Sequence, residues 1–215
     1  AGASGRNGGC ALSWSGKYFT LERLFGTAEA VRLVQESERS IAAIGEYCAA
    51  NGIQCDFRMD GTLYTASNQA QMGSTDAVIA ALTQQGINSF QRLAVEQVQR
   101  LAGSARHLEG WYSPAAATVQ PGRLVRGLRR VALQRGVRIY EGTAMTGLEH
   151  GAPVQVRTQG GTIKADRVVL GMNAWMARAF AQFERSVAIV SSDMVITEPC
   201  PELLRDIGLD SGISV

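Results

Sequence analysis

The sequence predicts an α+β protein, a mixed-sheet domain with helices beside part of an α/β domain. Three observations lead there. Residues 27–51 place Val31, Val34, Ile41, Ile44 and Cys48 at helical spacings on one face. The last third alternates apolar and polar residues with a period of two. Helical and strand patterns are also intermixed, without the strict alternation of a doubly wound fold.

The elements follow in order. Residues 1–16, rich in Gly and Ser, read as a loop. The helix over 27–51 starts at Thr27, with Glu29 in its first turn. It stops at Asn51-Gly52, a pair suited to a left-handed C-terminal cap. Asp60-Gly61, between short β-prone runs in 56–65, predicts a type I′ hairpin. A second helix is expected over 69–85 and ended by Gly86, then a strand over 88–93 and a short helix over 95–102. Residues 108–114 are aromatic and turn-rich. Pro121 opens a helix over 122–135, because proline suits a first helical turn. Its Leu124, Leu128, Val131 and Leu133 face inward, while Arg123, Arg126, Arg129, Arg130 and Arg135 form a solvated face. Strands are expected over 137–140, 154–158 and 163–170, with Gly160-Gly161 turning between the last two. A short helix over 173–183, a strand over 187–197 stopped by Pro199 and Pro201, and one helical turn over 202–207 complete the chain.

Composition narrows the function. With 46% apolar and 19% charged residues in 215, the chain is globular and long enough for a sizeable core. A formal charge of +2 gives no general attraction to nucleic acid or to an acidic membrane surface. No run approaches the roughly 18 apolar residues of a membrane span. Nor does a basic region followed by an apolar stretch open the sequence as a secretory leader would. The expected location is therefore cytoplasmic. Cys10, Cys48, Cys55 and Cys200 include no C-x-x-C pair, and His107 and His150 lie near none of them, so no metal site is expected. Cys48 and Cys55 can bridge in an oxidising compartment. Four reduced thiols suit a cytoplasmic chain better. No Ser-His-Asp or Cys-His arrangement is present for nucleophilic catalysis.

Three stretches carry chemistry in combination. The first is Gly2, Ala3, Ser4, Gly5, Arg6, Asn7, Gly8 and Gly9. Its glycines and Ser4 let backbone N–H groups approach an anion, and Arg6 adds positive charge. The second is 112–125, with the small residues 115–118 ahead of the Pro121 helix. The third runs from Gly136 to Thr143, through 154–158, to Gly171, Met172, Asn173, Ala174 and Trp175. In order and over nearly the whole chain, these stretches resemble the D-amino-acid oxidase-like family of FAD enzymes. That group includes glycine, sarcosine and γ-glutamylputrescine oxidases, and the form of 2–9 leans toward the last branch.

The resemblance implies a mixed-sheet substrate domain with helices plus an incomplete α/β FAD-binding domain. Residues 1–26 and 116–183 would belong to the FAD-binding domain, 27–115 to the substrate domain, and 184–215 to the start of a second substrate-domain segment. Ala3, Ser4, Gly5, Arg6, Asn7, Gly8 and Gly9 would lie along FAD. Thr143 and Ala144 would meet its adenine end, the latter through its backbone. Gly171, Asn173 and Trp175 would sit where a strand ends at the cofactor, with Trp175 a packing anchor rather than a catalytic group. Arg58 and Tyr64, with Trp111 and Tyr112, would offer a cation and an aromatic wall to an amine-bearing carboxylate. An exposed arginine and core aromatics are the more ordinary reading of those four.

Family members begin with a strand, a G-x-G-x-x-G turn and a helix that hold the pyrophosphate. That pattern does not occur in this sequence, which opens in mid-motif and stops soon after 194–199. The expectation is an internal fragment that alone binds FAD weakly or not at all and is inactive. For the intact enzyme, the resemblance implies hydride transfer from an amine or amino acid to flavin, giving an imine that water hydrolyses. No catalytic side chain is identified and no oligomeric state is implied. The alternatives are a flavin dehydrogenase serving a non-oxygen acceptor, and a non-catalytic binding or assembly module.

Overall fold

The computed structural model describes residues 2–190 and 193–215. They form two units, one of Ala1–Gln134 with Val195–Val215 and the other of Arg135–Met194. Helices and small antiparallel sheets make up both, as the α+β expectation requires.

In the first unit a short strand β1 (Cys10–Leu12) precedes helices α1 (Tyr18–Phe25) and α2 (Thr27–Ala50). The apolar spacing of α2 works as expected: Ala30, Val34, Ile41 and Cys48 are buried, with Val31 and Ile44 half-buried beside them. On its outer face Arg32 pairs with Glu29 and Arg39 with Glu36, exposed contacts that contribute little. Gly52 adopts a left-handed φ of +59°, and the Ile53 N–H donates to Cys48 O at 2.8 Å, which closes the helix end.

Strand β2 (Thr62–Ala66), helix α3 (Asp76–Gln84), strand β3 (Gln91–Arg92), helix α4 (Val95–Leu101) and strand β4 (Glu109–Ser113) follow. The three strands form an antiparallel sheet in the order β2-β4-β3. Leu82 of α3 packs with Tyr18 and Leu21 of α1 and with Val34 of α2. On the sheet, Val98 of α4 and Ala102 cluster with Leu63, and Tyr112 packs against them. Strand β5 (Ala116–Thr118) pairs antiparallel with β1, and helix α5 (Pro121–Gln134) starts at Pro121 as expected. Val131 of α5 joins Cys48, Ile53 and Cys55 in a further core cluster, with Leu124 against it. Leu128 and Leu133, expected to face inward, stay exposed, because that side of α5 meets no core cluster among the described residues. The arginine face is partly engaged: Arg123 pairs with Asp56 at 2.6 Å, and Arg130 donates to the carbonyls of Asn51 and Gly52.

Several expectations change. The hairpin at Asp60-Gly61 does not form, because only Gly61 has a positive φ (+86°) and a type I′ turn needs two. Arg58 bridges Thr118 instead, while β2 pairs with β4. The helix over 69–85 breaks at Gly73 (φ +73°), leaving a 3-10 turn at Gln69–Gln71 ahead of α3. The aromatic stretch at 108–114 is the central strand β4 rather than a turn. Residues 1–16 contain β1, and α1 was not anticipated.

The second unit is an antiparallel meander of β6 (Met145–Glu149), β7 (Val154–Thr158) and β8 (Gly161–Ala165), followed by α6 (Trp175–Ala179). Thr158 pairs with Gly161 across the turn, and Arg157 pairs with Glu149. The strand expected over 163–170 is thus β8, ending at Ala165. Residues 137–140 and 166–170 form no strand, nor do the described residues of 187–197, of which Ser191 and Ser192 lie outside the described set. Val169 is 92% exposed: a β-prone run without a partner edge gains no ladder hydrogen bonds.

Helix α7 (Pro201–Asp206) belongs to the first unit again. Beyond it the chain lies along β2: Leu63 N–H donates to Ser214 O at 2.7 Å, in a parallel bridge of Thr62 with Ser214. Ile213 packs onto the Leu63–Val98 cluster.

Burial pushes the Cys48 thiol up to about 11. Burial also raises the Tyr64 hydroxyl, and raises Tyr18 together with the Glu22 carboxylate that accepts its hydrogen bond. Each folded value exceeds the unfolded one, so these groups stabilise fully below the unfolded pKa, and that contribution drains as pH rises through the folded pKa. The melting temperature should fall as pH climbs from about 8.5, the ordinary thiol value, toward 11. Cys48→Ala should flatten that limb. A melting temperature that stays constant over this range would contradict the assignment.

Candidate functional site

The glycine-rich residues at 2–8 fold as one exposed loop around a 3-10 turn at Ala3–Gly5. Asn7 holds it together. Its side-chain amide donates to Ala3 O at 3.0 Å and Ser4 O at 3.1 Å, while its Oδ1 accepts the Gly9 N–H at 2.9 Å. Arg6 N–H donates to Ala3 O at 3.1 Å. Gly9 is buried and joins the loop to the sheet: its carbonyl accepts the Val119 N–H at 2.9 Å, next to the Cys10–Thr118 pairing. At +73°, its φ is left-handed, and an added Cβ would lie far inside contact with Val119 O and 3.3 Å from Pro121 Cδ.

The loop stands at the N-terminal end of α5, where a Cβ on Gly5 would be 4.0 Å from Gly122 Cα. Gln120 caps that end, its Oε1 accepting the Arg123 N–H at 2.6 Å, and its own N–H donates to Cys55 O at 2.7 Å. Among the described residues, no hydrogen bond uses the N–H groups of Asn7 or Gly8, the Ser4 hydroxyl or the Arg6 guanidinium. Four donor groups therefore remain available on one short exposed loop beside the positive end of a helix dipole. A mostly apolar cavity of about 470 Å³ begins where the loop ends, lined by Cys10, Leu12 and Trp14 facing Leu33, Ile41 and Ile44.

The other residues expected at a cofactor lie in the second unit. Thr143 donates to Glu141 O at 3.2 Å, and Ala144 is the exposed residue before β6. Gly171 is exposed. Asn173 has a left-handed φ of +50° and accepts the Met176 N–H at 3.1 Å, starting α6. Trp175 is 62% exposed, with the Arg178 guanidinium 5.7 Å from its ring centroid, and packs into no core cluster among the described residues.

The four substrate candidates fall on opposite sides of the β2-β4-β3 sheet. Tyr64 and Trp111 are cross-strand partners on one face. Trp111 donates from Nε1 to Asp76 Oδ1 at 3.0 Å and lies under Arg92, while Tyr64 packs against Phe90. The space beside Tyr64, walled by Val78, Ile79 and Phe90, is about 20 Å³, room for a water and no substrate. Tyr112 points to the other face and donates to Asp60 O at 3.1 Å. Arg58 pairs with Asp60 at 2.6 Å and donates to Ser211 O at 2.5 Å.

The sequence reading did not anticipate the cluster of Asp76, Arg92 and Glu109. Glu109 is buried, accepting the Gly73 N–H at 2.5 Å and pairing with Arg92 at 3.1 Å. The β3–β4 pairing brings Arg92 near Glu109, and Asp76 reaches Arg92 at 3.8 Å from the start of α3. They fasten the loop before α3 to the sheet.

A model of a family described as FAD dependent oxidoreductase (DAO) matches residues 1–213. The γ-glutamylputrescine oxidoreductase of Escherichia coli is 28% identical over 176 residues, a match covering 81% of this chain and 41% of that protein. A probable oxidoreductase OrdL of Haemophilus influenzae is 25% identical, covering 100% and 51%. Among solved structures, glycine oxidase from Bacillus cereus superposes with a TM-score of 0.65 at 19% identity, covering 85% of this chain and 48% of that one. The chain spans about two-fifths to half the length of these relatives. Among the described residues no helix is long and apolar enough to cross a membrane, and no group of acidic, histidine and cysteine residues could hold a metal ion.

Proposed function

The chain belongs to the DAO family of FAD-dependent oxidoreductases, and from that premise we propose that the protein carrying it oxidises the C–N bond of an amine or amino acid. The observation that carries this reading is the loop at 2–9. The Asn7 and Gly8 N–H groups, the Ser4 hydroxyl and the Arg6 guanidinium are open beside the α5 N-terminus, a donor set that fits a pyrophosphate. Bound FAD would supply the two-electron acceptor for the substrate C–H bond.

The chain's own residues divide the remaining work. Asn7 holds the loop in shape and Gly9 fixes it to β5, so the free donors point outward without further ordering. In the second unit, the backbone of Thr143 and Ala144 is the proposed contact with the adenine end of the cofactor, and the turn at Gly171, Asn173 and Trp175, which follows no strand, is a further proposed contact. Arg58, Tyr64, Trp111 and Tyr112 hydrogen-bond or pack within the fold, and we assign them to holding the sheet. Most of the pyrophosphate cradle would come from a G-x-G-x-x-G turn that these residues do not contain. This chain alone should therefore hold FAD weakly.

In a fluorescence titration of the chain with FAD, Arg6→Gln should weaken binding about tenfold, the loss of one charge-assisted contact. The reaction is tested with the gene product that carries these residues, isolated with its flavin. Anaerobic addition of an amine or amino acid should bleach the oxidised-flavin absorbance. Absorbance that persists against a panel of primary and secondary amines and amino acids overturns the reading. Oxygen uptake in the same assay separates an oxidase from a dehydrogenase.

A further inference from the structure

Cys48 and Cys55 take no part in the loop chemistry, yet they face each other. Cys48 lies in the last turn of α2, and Cys55 follows the reversal at Gly52. Their sulfurs stand 3.6 Å apart and both are free thiols. Ile53 and Val131 close around them, leaving the residues 3% and 1% exposed.

We propose that Cys48 and Cys55 form an intrachain redox site that a small neutral peroxide converts to a disulfide. A bond length of about 2.0 Å requires only about 1.5 Å of approach, within reach of side-chain rotation and small backbone shifts. The helix-ending turn already holds the intervening chain in place, with the Ile53 N–H on Cys48 O. Burial sets the class of oxidant. With the two residues only 3% and 1% exposed, a bulky charged disulfide is shut out, whereas hydrogen peroxide is of water-like size.

The chemistry closes in two steps. One sulfur attacks a peroxide oxygen as it gives up its proton; the O–O bond breaks, and the departing oxygen takes up that proton and leaves as water. The resulting sulfenic acid is attacked by the neighbouring sulfur; the S–O bond breaks and a second water leaves with the second thiol proton. Two thiols and one hydrogen peroxide give one disulfide and two waters, with each sulfur losing one electron and each peroxide oxygen gaining one. The new bond would tie the end of α2 to Cys55, whose carbonyl accepts the N–H of Gln120, the residue that caps α5. This inference does not depend on the proposed amine oxidation, since the peroxide is named as the co-reactant.

The test uses the reduced protein exposed to hydrogen peroxide, then unfolded, alkylated and digested with trypsin. Residues 40–58 form one tryptic peptide holding both cysteines, because neither Lys nor Arg lies between Arg39 and Arg58. After oxidation that peptide should be unalkylated and lighter by two hydrogens, and dithiothreitol should return it to the doubly alkylated form. The oxidised protein should melt about 5 °C higher, the effect of closing a short loop. A double variant with Cys48→Ala and Cys55→Ala should lose both changes while Cys10 and Cys200 still react. A peptide that stays doubly alkylated while Cys10 is oxidised, one that carries sulfinic acid without the cross-link, or an oxidised protein that melts lower than the reduced one would each overturn the proposal.

Discussion

Gly9→Ala should cost at least about 3 kcal/mol and disrupt the β1–β5 pairing, because two penalties fall on one position. A side chain there must adopt a φ of +73°, and its Cβ would drive into Val119 O while crowding Pro121. Those neighbours cannot yield easily: the Val119 N–H is bonded to Gly9 itself, and Pro121 opens α5. Gly8→Ala is the matched control. Its Cβ would meet nothing closer than Cys10 Sγ at 4.0 Å, so stability should change by no more than about 0.5 kcal/mol. Chemical denaturation of both variants reads the difference. Equal losses at the two positions would mean that the join to β5 is not what Gly9 provides.

Leu82→Ala should cost about 3 kcal/mol, within the range for emptying a fully buried leucine site. Leu82 is 0% exposed and touches the cluster in which Tyr18, Leu21, Val34 and Ile87 meet, so three helices lose a common contact. For a chain of this size the melting temperature should drop by roughly 6–12 °C. The loss reflects both the removed apolar area and the cavity left behind. A calorimetric drop below about 2 °C would show that the three helices close over the gap and that their packing is looser than described.

The parts legible in the sequence were those whose periodicity met a partner. Helix α2 was readable because Val34, Ile41 and Cys48 recur at helical spacing and all find a core. The turn between β7 and β8 was readable for the same kind of reason, since two alternating runs flank glycines and pair with each other. Residues 137–140 and 166–170 carry similar β-prone residues and form no strand, since propensity without an adjacent edge stabilises nothing. Strand β4 was hidden by its own composition. Glu109 is buried through its pairing with Arg92, and Gly110 leaves the room that Val98 fills, where a Cβ would be 2.9 Å from Val98 Cγ2. Neither residue looks like strand interior until its neighbours are known.

For the site, the glycines, Ser4 and Arg6 could be recognised as material for holding an anion. Their division of labour could not. Asn7 and Gly9 build the loop, whereas Gly8 and Arg6 remain open, and that distinction depends on hydrogen bonds within the loop and to Val119. The aromatic residues misled for a related reason: Trp111 and Tyr112 are adjacent in sequence, and a strand sends neighbours to opposite faces.

Closure of β2 by Ser214 sets an order of assembly during synthesis. The residue that covers this edge follows residues 135–194 in the chain, so a ribosome must deliver roughly 80 positions beyond Gln134 before it appears, about 4–16 s of translation. Throughout that interval the nascent first unit presents the backbone of Gly61 and Leu63 as an open template, the kind of edge that other emerging chains can pair with. The first unit therefore completes its folding only after the segment inserted within it has left the ribosome.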